Sequence, residues 1–444
     1  MKNKIITRFA PSPTGLFHVG SARVALFNYL YTKQNNGDFL LRIEDTDGVR
    51  SKPEWTEMIY NSMKWLGLDY TKSFIQSERT EVYKKYLAKL ISENKAYLSK
   101  EEIKEEGQRA EVIRFRNPNK KVSFNDLIRG KIEFDTTELG DFIIAKSLTE
   151  PIFHLTNVID DFESGITHAI RGDDHISNTP RQILIFEAIG GQPPIYAHLP
   201  MILSETKEKL SKRKHGEIVS VAHYQKEGYL PEAFINFIAF LGWNPGTDQE
   251  IMSMKELIEK FDITKVQKSG AIFNKEKLLW FNKEYIKRLP ADQLKKEISD
   301  KLSKKYTYSD ELLDRIIPTI TERINTFGEL EKYVLEGEFD YFFITPSPAK
   351  EMLIWKKDTD FKIPKNNLQK ISEIIEKISD NKFNEESLKT TLMPIAEGLG
   401  KGSVLWPLRV ALSGKEKSPD PFSLLAILGR TESINRIQNA LNLL

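Results

Sequence analysis

Residues 5–15 read IITRFAPSPTG, and this stretch, with the helix after it, decides the fold. Ile5–Ala10 predicts a short strand, which ends at the prolines because neither a strand nor a helix interior tolerates them. Apolar positions between Ser21 and Lys33 have the spacing of a buried helix, and Phe39–Ile43 predicts a second strand. Strand, turn, helix and strand within about forty residues form a βαβ unit, so the sequence predicts a parallel sheet.

A different pattern interrupts this unit between Glu78 and Glu150. Its segments are a charged helix near Glu81–Asn94, a charged stretch at Glu101–Arg109, and strand-like segments at Val112–Arg116 and Lys131–Phe134. Mixed helix and strand signals inside an α/β unit indicate an inserted α+β subdomain.

The α/β pattern resumes at Ile152–Val158 and Ile166–Ile170. A helix follows that Thr179 can cap, with Pro180 at its first helical position and Gly190-Gly191 at its end. The sequence therefore predicts further strands and helices of the same sheet after the insertion.

Helical spacing dominates the rest of the chain. Pro231–Leu241 is apolar almost all round and closes at Gly242, which predicts a buried helix. Beyond about Leu289 strand signals fade, and the apolar positions recur at helical intervals. We predict an α/β fold, in which a doubly wound, parallel-sheet (Rossmann-type) domain with an inserted α+β subdomain is followed by an all-helical C-terminal domain.

Composition excludes several classes of protein. The 444 residues are 40% hydrophobic and 29% charged, which is typical of a soluble globular chain. No apolar run approaches the ~20 residues of a membrane span, and the start lacks a signal peptide's apolar stretch. We therefore expect a cytoplasmic protein with no membrane partner. The absence of cysteine excludes disulfides and thiolate metal sites.

His18-Val19-Gly20 stands where the first predicted helix begins. A helix N-terminus offers free N–H groups and partial positive charge, so it attracts phosphate. Gly20 lets a ligand approach the backbone, and the His18 imidazole can donate to a phosphoryl oxygen. Taken alone, this segment is more simply explained by a histidine on the surface of a turn.

A basic segment, KLSKRKHG, occupies residues 209–216. Two lysines that flank a small hydroxyl residue suit a mobile loop that holds a triphosphate, because nucleotidyl transfer depends on neutralising charge. The alternative is a solvated basic loop, which is what most such runs are.

Together these two segments resemble the signature motifs of class I aminoacyl-tRNA synthetases. Arg8–Gly15, Arg42–Asp47 and Arg171–His175 resemble the glutamyl branch, of bacterial type. The resemblance extends through nearly the whole chain, including Leu278–Asn282 and Pro407–Arg409. It implies that the chain activates glutamate with ATP and transfers it to the 3′-terminal adenosine of tRNA(Glu). Whether tRNA(Gln) is also a substrate stays open.

The resemblance implies a domain order and a set of partners. A Rossmann-type catalytic domain is expected at residues 1–77 and 151–225, with an inserted acceptor-binding subdomain at 78–150. A stem-contact domain is expected at residues 226–288, and a helical anticodon-binding domain at 289–444. The expected ligands are tRNA, glutamate, and ATP with Mg²⁺. No zinc is expected, and the family expectation is a monomer.

Residue roles follow from the same resemblance. His18, Lys209 and Lys212 are expected to stabilise charge during adenylate formation. The residues expected at ATP are Gly20, Ser21, Asp174, Leu210, Ser211 and Lys212. Those expected at glutamate are Arg8, Ser12, Glu44, Phe153, Asn157 and Arg171, and their chemistry agrees, because guanidinium groups suit carboxylates and a carboxylate suits the α-ammonium. Arg323 and Arg409 are expected at the anticodon.

The sequence departs from the family pattern in three ways. Phe153 stands where the family commonly has a tyrosine, so a hydroxyl donor is missing from the amino-acid pocket. Ser21 replaces the second histidine of the general class signature. Many bacterial members have a cysteine-rich zinc site in the insertion, which this chain cannot form.

Several alternatives stay open at this stage. The acidic clusters Glu44–Asp47, Asp160-Asp161 and Asp173–His175 could be metal ligands. The aromatic residues Phe327, Trp355 and Trp406 could stack on unpaired bases, although a place in the helical core is the favoured interpretation. For the whole chain, the alternatives are a catalytically impaired tRNA-binding paralogue and a small-molecule nucleotidylyltransferase, which would not need the long helical region.

Overall fold

The computed structural model describes residues 4–102 and 110–444, and for Lys212 and Arg213 it describes the backbone only. The chain forms two compact units, Met1–Tyr285 and Ile286–Leu444. Within the described residues, no helix has the length and apolar character needed to cross a membrane.

The first unit begins with the predicted βαβ pattern. Its elements are β1 (Ile6–Phe9), α1 (Val19–Gln34), β2 (Asp38–Ile43), α2 (Pro53–Trp65) and β3 (Lys72–Ile75). The three strands are parallel, and β2 lies between the other two. Helix α1 is buried because it packs on the sheet with Leu26, Phe27 and Leu30 fully inside. The predicted parallel sheet is confirmed here.

In the next segment, the residues that the structure describes form a helix and six strands. They are α3 (Thr80–Ser92), β4 (Ala96–Lys100), β5 (Glu111–Phe115), β6 (Lys121–Asp126), β7 (Gly130–Asp135), β8 (Phe142–Ser147) and β9 (Glu150–Pro151). Strands β4, β5, β8 and β9 form an antiparallel sheet, and β6 and β7 form a hairpin. The predicted helix and both strand-like segments are confirmed, whereas most of the charged stretch Glu101–Arg109 lies outside the described residues.

The parallel sheet then continues. The elements are α4 (Phe153–Glu163), β10 (His168–Gly172), α5 (Thr179–Ile189), β11 (Ile195–Leu199) and β12 (Ile202–Leu203). Strands β10 and β11 are parallel, and β10 lies beside β1, where the Thr167 N–H donates to the Ile6 carbonyl at 2.9 Å. The strand order is therefore β3-β2-β1-β10-β11, which reverses between β1 and β10. Such an order defines a doubly wound sheet.

One detail of this region differs from expectation. The α/β pattern resumes, as predicted, at Ile152–Val158, where Ile152 precedes helix α4 and the following residues form its first turns. Thr179 does not cap helix α5, because a 3₁₀ turn at Asp173–Asn178 leads directly into the helix and Asn178 precedes its first residue. The Thr179 hydroxyl is used elsewhere, as an acceptor for Arg171 at 2.8 Å. Pro180 and the left-handed Gly190 stand where the sequence predicts them.

Helices complete the first unit. They are α6 (Lys212–His215), α7 (Val221–Lys226), α8 (Pro231–Ala239), α9 (Met254–Lys260) and, after β13 (Ala271–Ile272), α10 (Lys275–Ile286). Helix α8 is buried, as predicted, and joins the same core as α1. Strand β13 pairs in parallel with β12.

The second unit is helical, as predicted. Its helices are α11 (Ala291–Leu302), α12 (Asp310–Arg323), α13 (Phe327–Glu336), α14 (Asp340–Phe343), α15 (Lys362–Ile375), α16 (Glu385–Leu399), α17 (Lys401–Ser413) and α18 (Pro421–Leu443), the last kinked at Gly429. Of the three aromatic residues considered for base stacking, Phe327 is buried, which confirms the core interpretation for that residue. Trp355 and Trp406 are partly buried, and their rings pack 5.3 Å apart.

Candidate active site

An open crevice lies where the strand order reverses, between β1 and β10. Ligands of open α/β sheets bind beyond the carboxyl ends of the strands at such a point. A cavity of about 360 Å³ occupies the crevice. The residues with predicted roles that line it are Arg8, Ser12, His18, Gly20, Ser21, Glu44, Phe153, Asn157, Arg171, Asp174, Lys209 and Leu210. All residues predicted to hold glutamate are thus brought together.

His18 precedes the first residue of helix α1 and caps it. Its backbone is extended, and its Nδ1 accepts a hydrogen bond from the Gly20 N–H at 3.0 Å. Because Nδ1 is an acceptor, the proton of the neutral ring is assigned to Nε2. Burial lowers the pKa of His18, and the positive charge of Lys209 lowers it further. A hydrogen bond with the Leu210 backbone raises it by a smaller amount than burial lowers it. The ring is therefore neutral near pH 7 and links the helix start to the basic segment.

The basic segment begins at the edge of the cavity. Lys209 lines the cavity, and the buried Leu210 is fixed by its N–H, which donates to the Ile202 carbonyl at 3.1 Å. Ser211 does not line the cavity; its N–H donates to His215 Nδ1 at 3.2 Å. Lys212 begins helix α6, and its side chain lies outside the described part of the chain.

A network of buried charges forms the floor of the cavity. The Arg8 Nε–H donates to both Asp161 oxygens at 3.0 and 3.1 Å, and Arg42 Nη1 donates to Asp161 at 2.6 Å. Arg42 Nη2 also donates to Glu44 at 2.9 Å. Burial opposes ionisation of Asp161, but Arg8 and Arg42 outweigh it and lower its pKa. Burial raises the pKa of Glu44, against the opposing effects of Arg42 and Asn157.

Arg171 differs from the other guanidinium groups because its partners are neutral. It donates to Gln182 at 2.6 Å from Nη1, to Thr179 at 2.8 Å from Nη2, and to His198 at 3.2 Å from Nε. Its guanidinium lies 5.2 Å from the centre of the Tyr196 ring. Burial lowers the pKa of Arg171 to about 10, so the side chain is still charged at pH 7. Within the described residues, no carboxylate forms an ion pair with it.

The carboxylates of this floor are shared unevenly among its guanidiniums. Asp161 pairs with Arg8 and Arg42, and Glu44 pairs with Arg42. Arg171 is the guanidinium for which the described residues supply no carboxylate at ion-pair distance. A buried charge without a paired counter-charge is costly, so the cavity favours a ligand that brings a carboxylate to Arg171.

Comparison with known proteins identifies the family. A model described as tRNA synthetases class I (E and Q), catalytic domain, matches residues 4–111 and 98–280, and one described as anticodon binding domain matches residues 284–441. The glutamate–tRNA ligase of Thermodesulfovibrio yellowstonii is 40% identical over 472 residues, with 98% of this chain and 99% of the relative covered. That of Aquifex aeolicus is 39% identical, with 99% of each covered. The chain belongs to the glutamate–tRNA ligase family.

Solved structures of this ligase family agree. A crystal structure of a glutamate tRNA ligase from Elizabethkingia meningosepticum, in complex with its amino acid, matches with a TM-score of 0.88 and 34% identity over 99% of each chain. The glutamate-tRNA synthetase from Elizabethkingia anophelis matches with a TM-score of 0.83 and 33% identity, over 99% of this chain and all of that one. The predicted fold class and the predicted family are thus confirmed. Class I synthetases, to which this ligase family belongs, use ATP.

Asn157 and Phe153 are two further residues that are predicted to bind the glutamate substrate, and Asn157 connects the charged groups of the site. Asn157 donates to Glu44 at 2.9 Å and accepts from Gln182 at 3.1 Å, and Gln182 accepts from Arg171. The Phe153 ring lies at the cavity wall, 5.6 Å from the ring of His175. Glu44 and Arg171 are therefore held in one hydrogen-bonded chain.

The acidic clusters are engaged with cations and donors. Asp160 accepts from Gln76, Arg79 and Tyr83 at 2.7 to 2.9 Å, and Asp161 from Arg8 and Arg42. Asp173 pairs with Arg129 at 3.1 Å, and Asp174 is exposed at the cavity mouth. Among the described residues, no group of three acidic or histidine side chains is arranged to hold a metal ion. Asp160, Asp161 and Asp173 are therefore ion-pair partners of arginines in this ligase.

Sequence reasoning missed several members of the site of this ligase: Arg42, Asp161, Gln182, Thr179 as an acceptor, and His198. Arg42 lies inside a recognised motif, and Asp161 inside an acidic pair. Their contacts connect residues more than a hundred positions apart, which no local pattern predicts.

The two predicted anticodon residues of this ligase lie in the helical unit. Arg323 and Arg409 line one cavity, with the loop from Glu416 to Asp420. Arg323 Nη1 donates to the Tyr341 hydroxyl at 2.7 Å. The Arg409 Nε is buried and has no hydrogen-bond partner in the described chain. The structure thus places both arginines at one concave surface.

Proposed function

We propose that this member of the family activates glutamate with ATP and transfers it to tRNA. The observation that carries the proposal is Arg171, a buried cation whose hydrogen-bond partners are neutral and which pairs with no carboxylate of the described residues. Glutamate brings two carboxylates, one of which pairs with Arg171, and one ammonium. Glutamine lacks the second carboxylate and would leave Arg171 unpaired, so we expect it to bind weakly.

Glutamate binds across the floor of the cavity. Arg171 and Arg8 take its carboxylates, because a guanidinium matches a carboxylate with two parallel hydrogen bonds. Glu44, held by Arg42 and Asn157, takes the α-ammonium. Ser12 lines the same cavity. Phe153 contributes a ring surface without a hydroxyl group.

Activation joins glutamate to the nucleotide. An oxygen of the α-carboxylate attacks the α-phosphorus of ATP, the bond to the β-phosphate breaks, and pyrophosphate leaves. The start of helix α1, at Gly20 and Ser21, directs a partial positive charge at the phosphates, while the Gly20 N–H itself donates to His18. His18 donates from Nε2, and Lys209 and Lys212 add positive charge. Mg²⁺ bound to ATP would add positive charge at the phosphates. Leu210, Ser211 and Asp174 complete the expected ATP site.

Transfer follows on the same surface. The 2′-hydroxyl of the terminal adenosine attacks the activated carbonyl and loses its proton. The bond from the carbonyl to AMP breaks, so AMP leaves and the glutamyl group stays on tRNA as an ester. We assign the anticodon contacts to Arg323 and Arg409, whose guanidiniums can stack on unpaired bases or bind their edges. We further infer a cytoplasmic, monomeric enzyme. We also expect it to hold no zinc, because the chain has no cysteine for a thiolate site.

The proposal is tested by ATP–pyrophosphate exchange with glutamate, glutamine or no amino acid, each with and without tRNA. We expect exchange that depends on glutamate. Exchange with no amino-acid dependence would favour a small-molecule nucleotidylyltransferase, and no exchange under any condition would favour an impaired tRNA-binding paralogue. Charging of purified tRNA(Glu) and tRNA(Gln) then decides which tRNA is the substrate.

A further inference from the structure

Asp126 lies at the end of strand β6, in a hairpin that contacts the parallel sheet of the site. Its side chain is fully buried and faces four hydrogen-bond donors. Oδ1 accepts from the Ile128 and Arg129 N–H groups at 2.9 and 2.8 Å. Oδ2 accepts from the N–H of His198 at 3.0 Å and lies 2.6 Å from its Nδ1. With all donors facing it, Asp126 is an ionised acceptor.

His198 lies on strand β11 with no exposed side-chain surface. A carboxylate at Nδ1 requires a proton on that nitrogen, so Nε2 of the neutral ring is an acceptor. Burial lowers the pKa of His198, against the hydrogen bond to Asp126, which keeps the ring neutral at pH 7. Nε2 lies 3.2 Å from the Arg171 Nε, whose N–H it therefore accepts.

Arg171 has five N–H groups. Within the described residues, the N–H on Nε donates to His198, one N–H on Nη1 donates to Gln182, and one N–H on Nη2 donates to Thr179. One N–H is left on each terminal nitrogen. One N–H on each terminal nitrogen is the set that can donate to the two oxygens of a carboxylate in a bidentate geometry.

We propose that Asp126 and His198 are positioning residues, which fix the Arg171 guanidinium so that its terminal N–H groups meet the substrate carboxylate. The inference rests on the proposed function for the identity of that substrate. It makes the β6–β7 hairpin a part of the amino-acid site, although neither of its strands lines the cavity.

A second contact supports the role of the hairpin. Arg129, in the same turn as Asp126, pairs with Asp173 at 3.1 Å, two residues after Arg171. It also donates to the Lys268 carbonyl at 2.7 Å. The hairpin turn therefore holds both the side chain of Arg171 and the backbone segment that follows it.

The first test is Asp126→Asn. The two turn N–H groups keep the amide oxygen at Oδ1, so the amide NH₂ takes the place of Oδ2 and donates to Nδ1. The ring proton must then move to Nε2, where it opposes the Arg171 N–H; an asparagine in place of an orienting aspartate acts in this way in serine proteases. We expect the KM for glutamate to rise about 10-fold or more, as for a lost charged hydrogen bond. The KM for ATP should stay nearly constant.

The second test compares substitutions at His198. In His198→Gln the amide oxygen can accept from Arg171, whereas in His198→Leu no acceptor is left. We expect a smaller rise in the glutamate KM for the glutamine variant. The matched control is His168→Leu, which removes another buried imidazole from the same sheet, one that contacts Thr167 and Tyr31. It should lower the melting temperature without changing the glutamate KM.

The ring proton is measured directly by NMR of the protein labelled with ¹⁵N-histidine, with His198 assigned from the His198→Gln spectrum. A proton on Nδ1 in the wild type and on Nε2 in Asp126→Asn supports the inference. A wild-type proton on Nε2 overturns it, as does an unchanged glutamate KM in Asp126→Asn or an equal rise in His168→Leu. Absence of glutamate-dependent exchange in the wild type would instead overturn the proposed function, while the NMR result would still decide how Arg171 is held.

Discussion

Glu44 is buried between Arg42 and Asn157, and its carboxylate is the group assigned to the substrate ammonium. Burial is the largest influence on its pKa and raises it. On acidification the carboxylate therefore takes up a proton at a higher pH than an ordinary glutamate does. A protonated Glu44 is neutral and loses its attraction for the ammonium.

The pH dependence of glutamate binding follows from the raised pKa of Glu44. We expect the KM for glutamate to be lowest at neutral pH and to rise as the pH falls towards about 5, above the range in which an ordinary carboxyl titrates. Steady-state exchange kinetics between pH 5 and pH 8 measure the effect, with the KM for ATP as the internal reference. Glu44→Gln should have a high glutamate KM with little slope. A wild-type KM that stays flat down to pH 5 would contradict the role of Glu44.

Lys212 is the second residue whose role can be isolated. We expect Lys212→Ala to reduce adenylate formation by at least ~10²-fold, as when a group that stabilises developing charge is lost. Lys214→Ala is a matched control in the same segment, because Lys214 is exposed and pairs with Glu208 at 2.9 Å. The readout is pyrophosphate exchange with tRNA present. Near-normal exchange by Lys212→Ala would exclude the role.

At the scale of elements, the βαβ start was predictable because its signals are local. The prolines that end β1 and the apolar spacing of α1 act over a few residues, and the structure follows them closely. Helix α4 and the start of α5 were less predictable. The apolar run at Ile152–Val158 suits a strand or a helix equally, and Thr179 is drawn to Arg171 rather than to its own helix.

The missing part of the site has the same explanation. The predicted residues sit in motifs that can be read along the chain, whereas Asp161 and His198 act through partners brought together only by the folded sheet. Arg8 and Asp161 are 153 residues apart, and Asp126 and His198 are 72 apart. Charge pairing at such a distance depends on strand order, which a single sequence leaves undetermined.

Gly37 is an element-scale test of the βαβ unit. It lies between α1 and β2, and a Cβ at this position would stand 2.2 Å from the Ile5 carbonyl oxygen, in a backbone that cannot move aside freely. We expect Gly37→Ala to lower the free energy of unfolding of the first unit by roughly 1–3 kcal/mol, the usual cost of overpacking. Gly48→Ala, which meets no atom within 4 Å, is the control. Equal urea midpoints for the two variants would contradict the predicted clash.

At the scale of the molecule, the chain forms two compact units, and each has its own interior. In the unit Ile286–Leu444 the fully buried residues include Ile316, Leu330, Phe339, Leu368, Leu408 and Ile437. A core of this kind is what an independently folding domain requires.

We therefore expect a fragment of residues 286–444 to fold alone. It should have a strongly helical circular dichroism spectrum and a cooperative thermal transition, and it should not support pyrophosphate exchange, since the cavity with His18 and Arg171 is absent. A non-cooperative transition in the fragment, with the full chain folded under the same conditions, would contradict the independence of its core.

The separation of Arg8 from Asp161 also has a consequence for synthesis on the ribosome. At roughly 5–20 residues per second, Asp161 emerges roughly 8–30 s after Arg8. Through that interval the strand neighbour available to β1 is β2, since its other neighbour, β10, has not been made. The nascent chain thus exposes an apolar strand edge and two arginines without their carboxylate. This interval is when a chaperone that binds strand edges would be needed most, and when the amino-acid site cannot yet exist.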